Sequence, residues 1–275
     1  MKFPHDPPVR LLALDLDDTL LNEQLEISPG NCQAILEAEQ AGVRVVLASG
    51  RATQSMQSYG RSLGMDRREG YYITFNGASI VESDTGREEW GVKIDVPFLT
   101  EIWDLASELG QPVQTYIDGS ILVSLDNQYT RLDTELTGIP WRAVDREKFL
   151  AAPRVKVLLP GEPRSLDGVE ATFKQRFAGR ANMFRSKPFF FEVLPNEADK
   201  GLALAKLAGL HGIRREEVMA IGDSWNDEGM LRWAGVSVAM ANAAPGIRDV
   251  ASWVTTRDHN DDGVAEAIGR FILGR

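Results

Sequence analysis

A succession of short apolar runs, each closing on polar residues, constrains this chain more than any other feature. Residues Val9 to Leu14 read as a strand ending at Asp15. Ser28 can then cap a helix whose first turn suits Pro29, with Ile35, Leu36 and Ala38 to Ala41 as its apolar face and Gly42 as its stop. VRVVLA (43–48) follows as a β-forming run that ends at Ser49-Gly50-Arg51. Strand, helix and strand joined by short loops begin a parallel α/β sheet. YYITF (71–75) ends at Asn76-Gly77, VMAI (218–221) at Gly222-Asp223, and VSVAM (236–240) at Ala241-Asn242. Polar residues thus gather at the carboxyl ends of the predicted strands, where open α/β sheets bind ligands.

The middle of the chain has another texture. Between about Gly86 and Lys187, helical segments such as LTEIWDLASELG alternate with strand-like QTYIDGSILVSL, RVKVLL and RSKPFFFEVL. Asp118-Gly119 between alternating apolar residues predicts a hairpin turn. The pattern predicts an inserted α+β domain over 86–188, with 1–85 and 189–275 forming one α/β core.

Composition removes several alternatives. The chain has 275 residues, 43% hydrophobic and 25% charged, ordinary values for a globular protein. Its single cysteine, Cys32, cannot make an internal disulfide or a thiolate zinc site, and His5, His211 and His259 are too few for a His-rich metal centre. Net charge is -10, and no Lys/Arg block offers a nucleic-acid footprint. No segment approaches the ~20 apolar residues of a membrane span, and MKFPHDPPVR does not read as a signal peptide. A cytoplasmic enzyme is the expectation, with no nucleic-acid or membrane partner and with monomer or homodimer left open.

Two acidic segments stand out. In DLDDTL (15–20), Asp15 and Asp17 lie two apart, so an extended strand end would point both carboxylates the same way. Adjacent carboxylates repel and need a cation, a shared proton or strong hydrogen bonds. Mg2+ fits, being a hard ion commonly held by one or two carboxylates plus phosphate. A solvated acidic turn is the alternative; an EF-hand fails for want of its later glycine and glutamate. In GDSWND (222–227), Asp223 and Asp227 could both face a metal across an i,i+4 turn, or one could cap a helix. Ser49 and Lys200 add two phosphate donors. Ser49 closes a strand, and Lys200 opens the predicted helix GLALAKLAGL, whose terminal N–H groups attract anions.

The order DLDDTL, Ser49-Gly-Arg, Lys200-Gly and GDSWND resembles the four motifs of the haloacid dehalogenase superfamily. Asn76-Gly-Ala, His259-Asn-Asp-Asp-Gly-Val-Ala and the large insertion resemble its Cof-like phosphatases with a IIB cap. The resemblance implies a Rossmann-like three-layer α/β/α core with an inserted α+β cap of type C2B over the mouth of the site. It implies Asp15 as the nucleophile, forming an aspartyl-phosphate, and Asp17 as the acid that protonates the leaving alkoxide and then activates water. Ser49, Lys200 and Asn226 would hold phosphate. Asp15, Asp223 and Asp17 (through its backbone carbonyl) would bind Mg2+, with Asp227 supporting the ion. Thr19 would orient the loop or the acid, and Gly50 and Asn76 would support the site. The implied substrate is a small phosphorylated metabolite, a sugar phosphate among the candidates.

Two positions depart from the family's common pattern: Asp18 stands where glycine is frequent, and bulky Trp225 occupies the GDxxND loop. Trp225 is read as packing its loop against the cap or into core. In the insertion, Arg154 and Lys156 share a strand face, read as a solvent-facing basic edge in preference to an anion contact. Trp90, Trp103, Trp141 and Phe189–Phe191 are read mainly as core, and His211 receives no catalytic role. A phosphomutase-like reaction on the same core and a noncatalytic binding module are the competing readings. Nucleotide-binding GxGxxG and GxxxxGK[ST] patterns are absent.

Overall fold

The computed structural model describes Asp6–Arg275; Met1 to His5, and with them half of the MKFPHDPPVR segment, lie outside the described residues. The strands are β1 (Leu11–Asp15), β2 (Arg44–Ala48), β3 (Tyr71–Thr74), β4 (Ser79–Glu82) and β5 (Glu88–Gly91). The insertion carries β6 (Gln114–Ile117), β7 (Ser120–Val123), β8 (Trp141–Ala143), β9 (Val157–Pro160), β10 (Ala181–Lys187) and β11 (Phe190–Pro195). The chain then completes the first sheet with β12 (Val218–Gly222), β13 (Val236–Ala239) and β14 (Trp253–Val254).

Eight strands form the core sheet in the order β14-β13-β12-β1-β2-β3-β4-β5. From β14 to β3 the pairing is parallel, with Leu11 opposite both Val218 and Arg44; β4 returns antiparallel on β3. The fully buried β1 explains why its sequence reads as an uninterrupted apolar run. Its side chains alternate between two cores. Leu12 and Leu14 pack with Ala34, Ile35 and Ile268 on one face, while Leu11 and Ala13 pack with Leu204 and Leu207 on the other. Each buried leucine contributes about 1.5–3 kcal/mol. Helices on both faces give the three-layer α/β/α arrangement. The Pro29–Gln40 helix starts as its sequence predicts, with Ser28 Oγ accepting the Asn31 N–H at 3.1 Å.

The inserted unit is built separately. Its six strands run β10-β11-β9-β6-β7-β8, antiparallel except for β7–β8. Helices Val96–Glu108 and Pro163–Arg176 bring Leu99, Ile102, Leu166 and Phe173 onto Val157, Leu159, Phe191 and Val193. Asp118 and Gly119 both have positive φ (46° and 72°), as the tight β6–β7 turn requires.

Contacts divide the chain differently from the sequence-based boundaries. One unit runs to Trp90 and resumes over Asp199–Arg275, and the other is Gly91–Ala198. The first boundary moves because β5 joins the core sheet. The second moves because β11 pairs with β10 and β9, so a break at 188/189 would split a hairpin.

Arg154 and Lys156 also differ from expectation: both are buried, at 2% and 5% exposure. The Arg154 guanidinium donates to the carbonyls of Lys148 and Phe149. Lys156 Nζ pairs with Glu192 at 3.0 Å. A buried charge needs such partners, and these remove the proposed solvent-facing edge. Phe190 and Phe191 are core, Trp103 packs on Phe149, and Trp141 is half-buried beneath Arg131. Among the described residues no helix is long and apolar enough to cross a membrane.

Candidate active site

The carboxyl ends of β1, β2, β3 and β12 bring the predicted motifs together. Asp15 closes β1 and is 4% exposed; its Oδ1 accepts from Lys200 Nζ at 2.6 Å. The same ammonium donates to Asp227 Oδ1 at 2.6 Å. Lys200 is fully buried in the first turn of helix Lys200–Leu210, whose cap is Asp199. Glycine at 77 permits this approach. With φ of 95°, its place would set a β-carbon 2.2 Å from the Asp199 carbonyl oxygen and 2.7 Å from Lys200 N.

Asp223 follows β12, and Asp227 lies at the end of a short helical turn, Trp225–Asp227. Asp227 caps its own short turn and also reaches the lysine. Its Oδ2 accepts the N–H groups of Asp223 and Ser224 at 3.0 and 3.1 Å, and its Oδ1 holds Lys200. A β-carbon at Gly222 would collide with this carboxylate, 2.7 Å from Oδ2. Carboxylate oxygens of Asp15, Asp223 and Asp227 lie within 4.8 Å of one another.

Three carboxylates beside one ammonium leave a buried excess of negative charge. Burial pushes the Asp15 carboxyl well above its usual range, Asp227 and Asp223 push it further, and Lys200 opposes them. Burial, followed by Asp227, raises Asp223 to about 7. Burial disfavours the Lys200 ammonium, but Asp15 and Asp227 together outweigh this and lift its pKa above the ordinary lysine value. A divalent cation would relieve the carboxylate crowding, and oxygen donors suit a hard ion. The donor set therefore fits Mg2+.

Asp17 does not share the surroundings of Asp15. After β1 the chain turns, with extended backbone at Asp17 and a left-handed conformation at Asp18 (φ 58°). The Asp17 carboxylate is half-exposed and lies outside the three-carboxylate cluster. Arg51 grips it, Nε to Oδ2 at 2.9 Å and Nη2 to Oδ1 at 2.5 Å. This hydrogen bonding raises the Arg51 pKa against burial. The expectation that both carboxylates point into one environment holds only for a straight strand, and the strand stops at Asp15. Arg51 had no role assigned from sequence, although the Ser49-Gly-Arg motif carried it.

The remaining predicted residues form the rim. Ser49 is 1% exposed; its Oγ accepts the Arg51 N–H at 3.2 Å and its carbonyl accepts the Asn76 N–H at 3.0 Å. Gly50 lies against Asn76, and Asn226 Nδ2 donates to Asn76 Oδ1 at 3.1 Å. The Thr19 hydroxyl donates to Asp223 Oδ1 at 3.0 Å, so its visible partner is the proposed metal ligand and not the acid. Trp225 is 62% exposed, with its ring edge against Gly246, contrary to the core packing read from its size. His211 packs on the Tyr71 ring, away from these contacts.

Residues 12–268 match the family of haloacid dehalogenase-like hydrolases. The chain belongs to that family. YxeH of Bacillus subtilis (strain 168) is 35% identical to this hydrolase over 272 residues, covering 97% of this chain and 99% of YxeH. The 5-amino-6-(5-phospho-D-ribitylamino)uracil phosphatase YcsE of the same organism is 30% identical over 269 residues, covering 98% of both chains. A haloacid dehalogenase-like hydrolase from Bacteroides thetaiotaomicron has a similar structure, with a TM-score of 0.87 and 33% identity over 95% of this chain and 99% of its own. The eight-stranded sheet and the inserted six-stranded unit are thus the Rossmann-like core and inserted cap domain of a hydrolase in this family.

Proposed function

We propose that this hydrolase is a Mg2+-dependent phosphomonoesterase that uses Asp15 as its nucleophile and acts on a small phosphorylated metabolite. The observation that carries the reading is the buried Asp15–Lys200–Asp227 chain with Asp223 beside it, at the carboxyl end of a parallel sheet. An anionic nucleophile approaching a phosphate dianion needs compensation, and phosphoryl transfer needs little beyond positioning and electrostatics.

In the first half-reaction an Asp15 carboxylate oxygen attacks phosphorus as the ester P–O bond breaks. The leaving alkoxide takes its proton from Asp17. In the second, Asp17 accepts a proton from water, whose oxygen attacks the aspartyl-phosphate. The P–O bond to Asp15 then breaks, releasing inorganic phosphate, with Asp15 again a carboxylate and Asp17 again protonated. Lys200 holds positive charge at the nucleophile, and Ser49 and Asn226 orient phosphoryl oxygens. Asp15, Asp223 and the Asp17 carbonyl would hold Mg2+, which would supply Lewis-acid stabilisation of phosphoryl charge. Asp227 acts from behind, since its oxygens already hold Lys200 and two backbone N–H groups. YcsE, whose name states a phosphorylated ribityl compound as substrate, supports a sugar-phosphate-like ester as the substrate class.

The test is phosphate release from a broad phosphomonoester panel, including p-nitrophenyl phosphate, with Mg2+ and with EDTA. Hydrolysis that EDTA abolishes is expected. Failure on the whole panel would defeat the phosphatase reading.

A further inference from the structure

Asp18 holds the acidic loop in the left-handed region at φ 58° and ψ 13°, where a residue with a β-carbon is disfavoured relative to glycine. Its family's frequent glycine at this position now has a physical reason, and so does the question of what holds an aspartate there. The Asn242 side chain supplies the answer. Its Nδ2 donates to the Asp18 carbonyl at 2.7 Å, and its Oδ1 accepts the His259 N–H at 3.2 Å. Both ends of the amide are therefore used, and flipping it would lose both bonds. The His259 ring nitrogen Nε2 also lies 3.7 Å from Asp18 Oδ1.

The segment carrying Asn242 is fixed to the other acidic loop. The Met240 N–H donates to the Gly222 carbonyl at 3.0 Å, and the Ala244 N–H donates to the Asp223 carbonyl at 3.1 Å. Two further bonds stiffen it: the Ala241 N–H donates to Thr255 Oγ1 at 2.8 Å, and Arg248 Nε donates to the Ala243 carbonyl at 2.8 Å. Together with the Thr19–Asp223 bond, the DLDDTL and GDSWND loops are tied at two independent places.

We infer that Asn242 is a positioning residue for the cation site, setting the spacing between the Asp15–Thr19 loop and Asp223. The inference rests on the proposed Mg2+-dependent phosphatase reading. Holding the Asp18 carbonyl fixes the Asp18–Thr19 peptide plane, and through the left-handed backbone of Asp18 it limits where the neighbouring Asp17 carbonyl points. Outer partners of this kind typically govern metal affinity by about 10- to 100-fold.

The test uses the full chain as wild type, Asn242→Ala and the near-isosteric Asn242→Leu, each melted across a MgCl2 series that starts in EDTA. The EDTA point reports the fold, and the concentration dependence of the melting shift reports Mg2+ affinity. Both variants are expected to melt within about 4 °C of wild type in EDTA. Both should need about tenfold or more Mg2+ for half of the shift. The Mg2+ concentration for half-maximal turnover should rise by the same factor, with kcat at saturating Mg2+ nearly unchanged. Unaltered Mg2+ dependence in either variant would overturn the inference, as would wild type showing no Mg2+ shift, or a loss in EDTA large enough to mark general unfolding. Wild type that binds Mg2+ but hydrolyses no ester would sink the phosphatase reading separately.

Discussion

Lys200→Met removes the central ammonium while nearly preserving side-chain volume. Lys200 is fully buried, and its Nζ lies 2.6 Å from one oxygen of Asp15 and one of Asp227. At an effective dielectric of ~20, each contact attracts by roughly 6 kcal/mol before desolvation is subtracted. Removing one partner of a buried pair destabilises by about 3–5 kcal/mol, because the remaining charge is left uncompensated. Here two contacts are lost and Asp223 adds a third carboxylate, so a loss of at least that size is expected. The assay is urea unfolding of both proteins in EDTA at about pH 8 and again at acid pH. The deficit should shrink toward acid pH as protons replace the missing cation, and also at saturating Mg2+. A deficit below about 1 kcal/mol at alkaline pH, or one indifferent to both pH and Mg2+, would refute the electrostatic reasoning.

Two further outcomes follow from the same contacts. Asp223 has a folded pKa of about 7 against an ordinary value of 3.8, so its stability contribution is full below the ordinary value and is lost as pH rises through about 7. The melting temperature in EDTA should fall across that window, and Mg2+ should restore it most above about 7, since the ion binds the ionised form; a Mg2+ shift independent of pH would contradict the assignment. Arg51→Ala should lower turnover of an alkyl phosphate about tenfold more than that of p-nitrophenyl phosphate, whose leaving group needs little protonation. Equal losses on the two esters would place Arg51 on phosphate and not on Asp17.

The sheet was legible because buried parallel strands are continuous apolar runs, and because each run stopped at residues with distinctive chemistry. Asp15, Ser49, Asn76 and Asp223 could be placed at strand ends from local order alone. Contacts made across long chain separations, and those made to backbone carbonyls, were not legible. Lys156 looked solvent-facing because its partner, Glu192, lies on another strand, and Arg154 because its acceptors are backbone carbonyls that composition cannot reveal. Phe190–Pro195 looked like core because its apolar character is the same in either sheet; only pairing with β9 and β10 decides. The separate surroundings of the Asp17 carboxylate were not legible, because two-residue periodicity applies only while a strand continues. Asn242 was visible as a polar strand ending, yet its partner Asp18 is 224 residues away.

Phosphate release by wild type and Asp15→Asn, run side by side on the phosphomonoester panel with Mg2+, tests the central claim most directly. Wild type should turn over at least one ester in a reaction that EDTA abolishes. Asp15→Asn should keep a folded circular dichroism spectrum while losing about three orders of magnitude or more in turnover. Near-normal turnover by Asp15→Asn would contradict the nucleophile assignment.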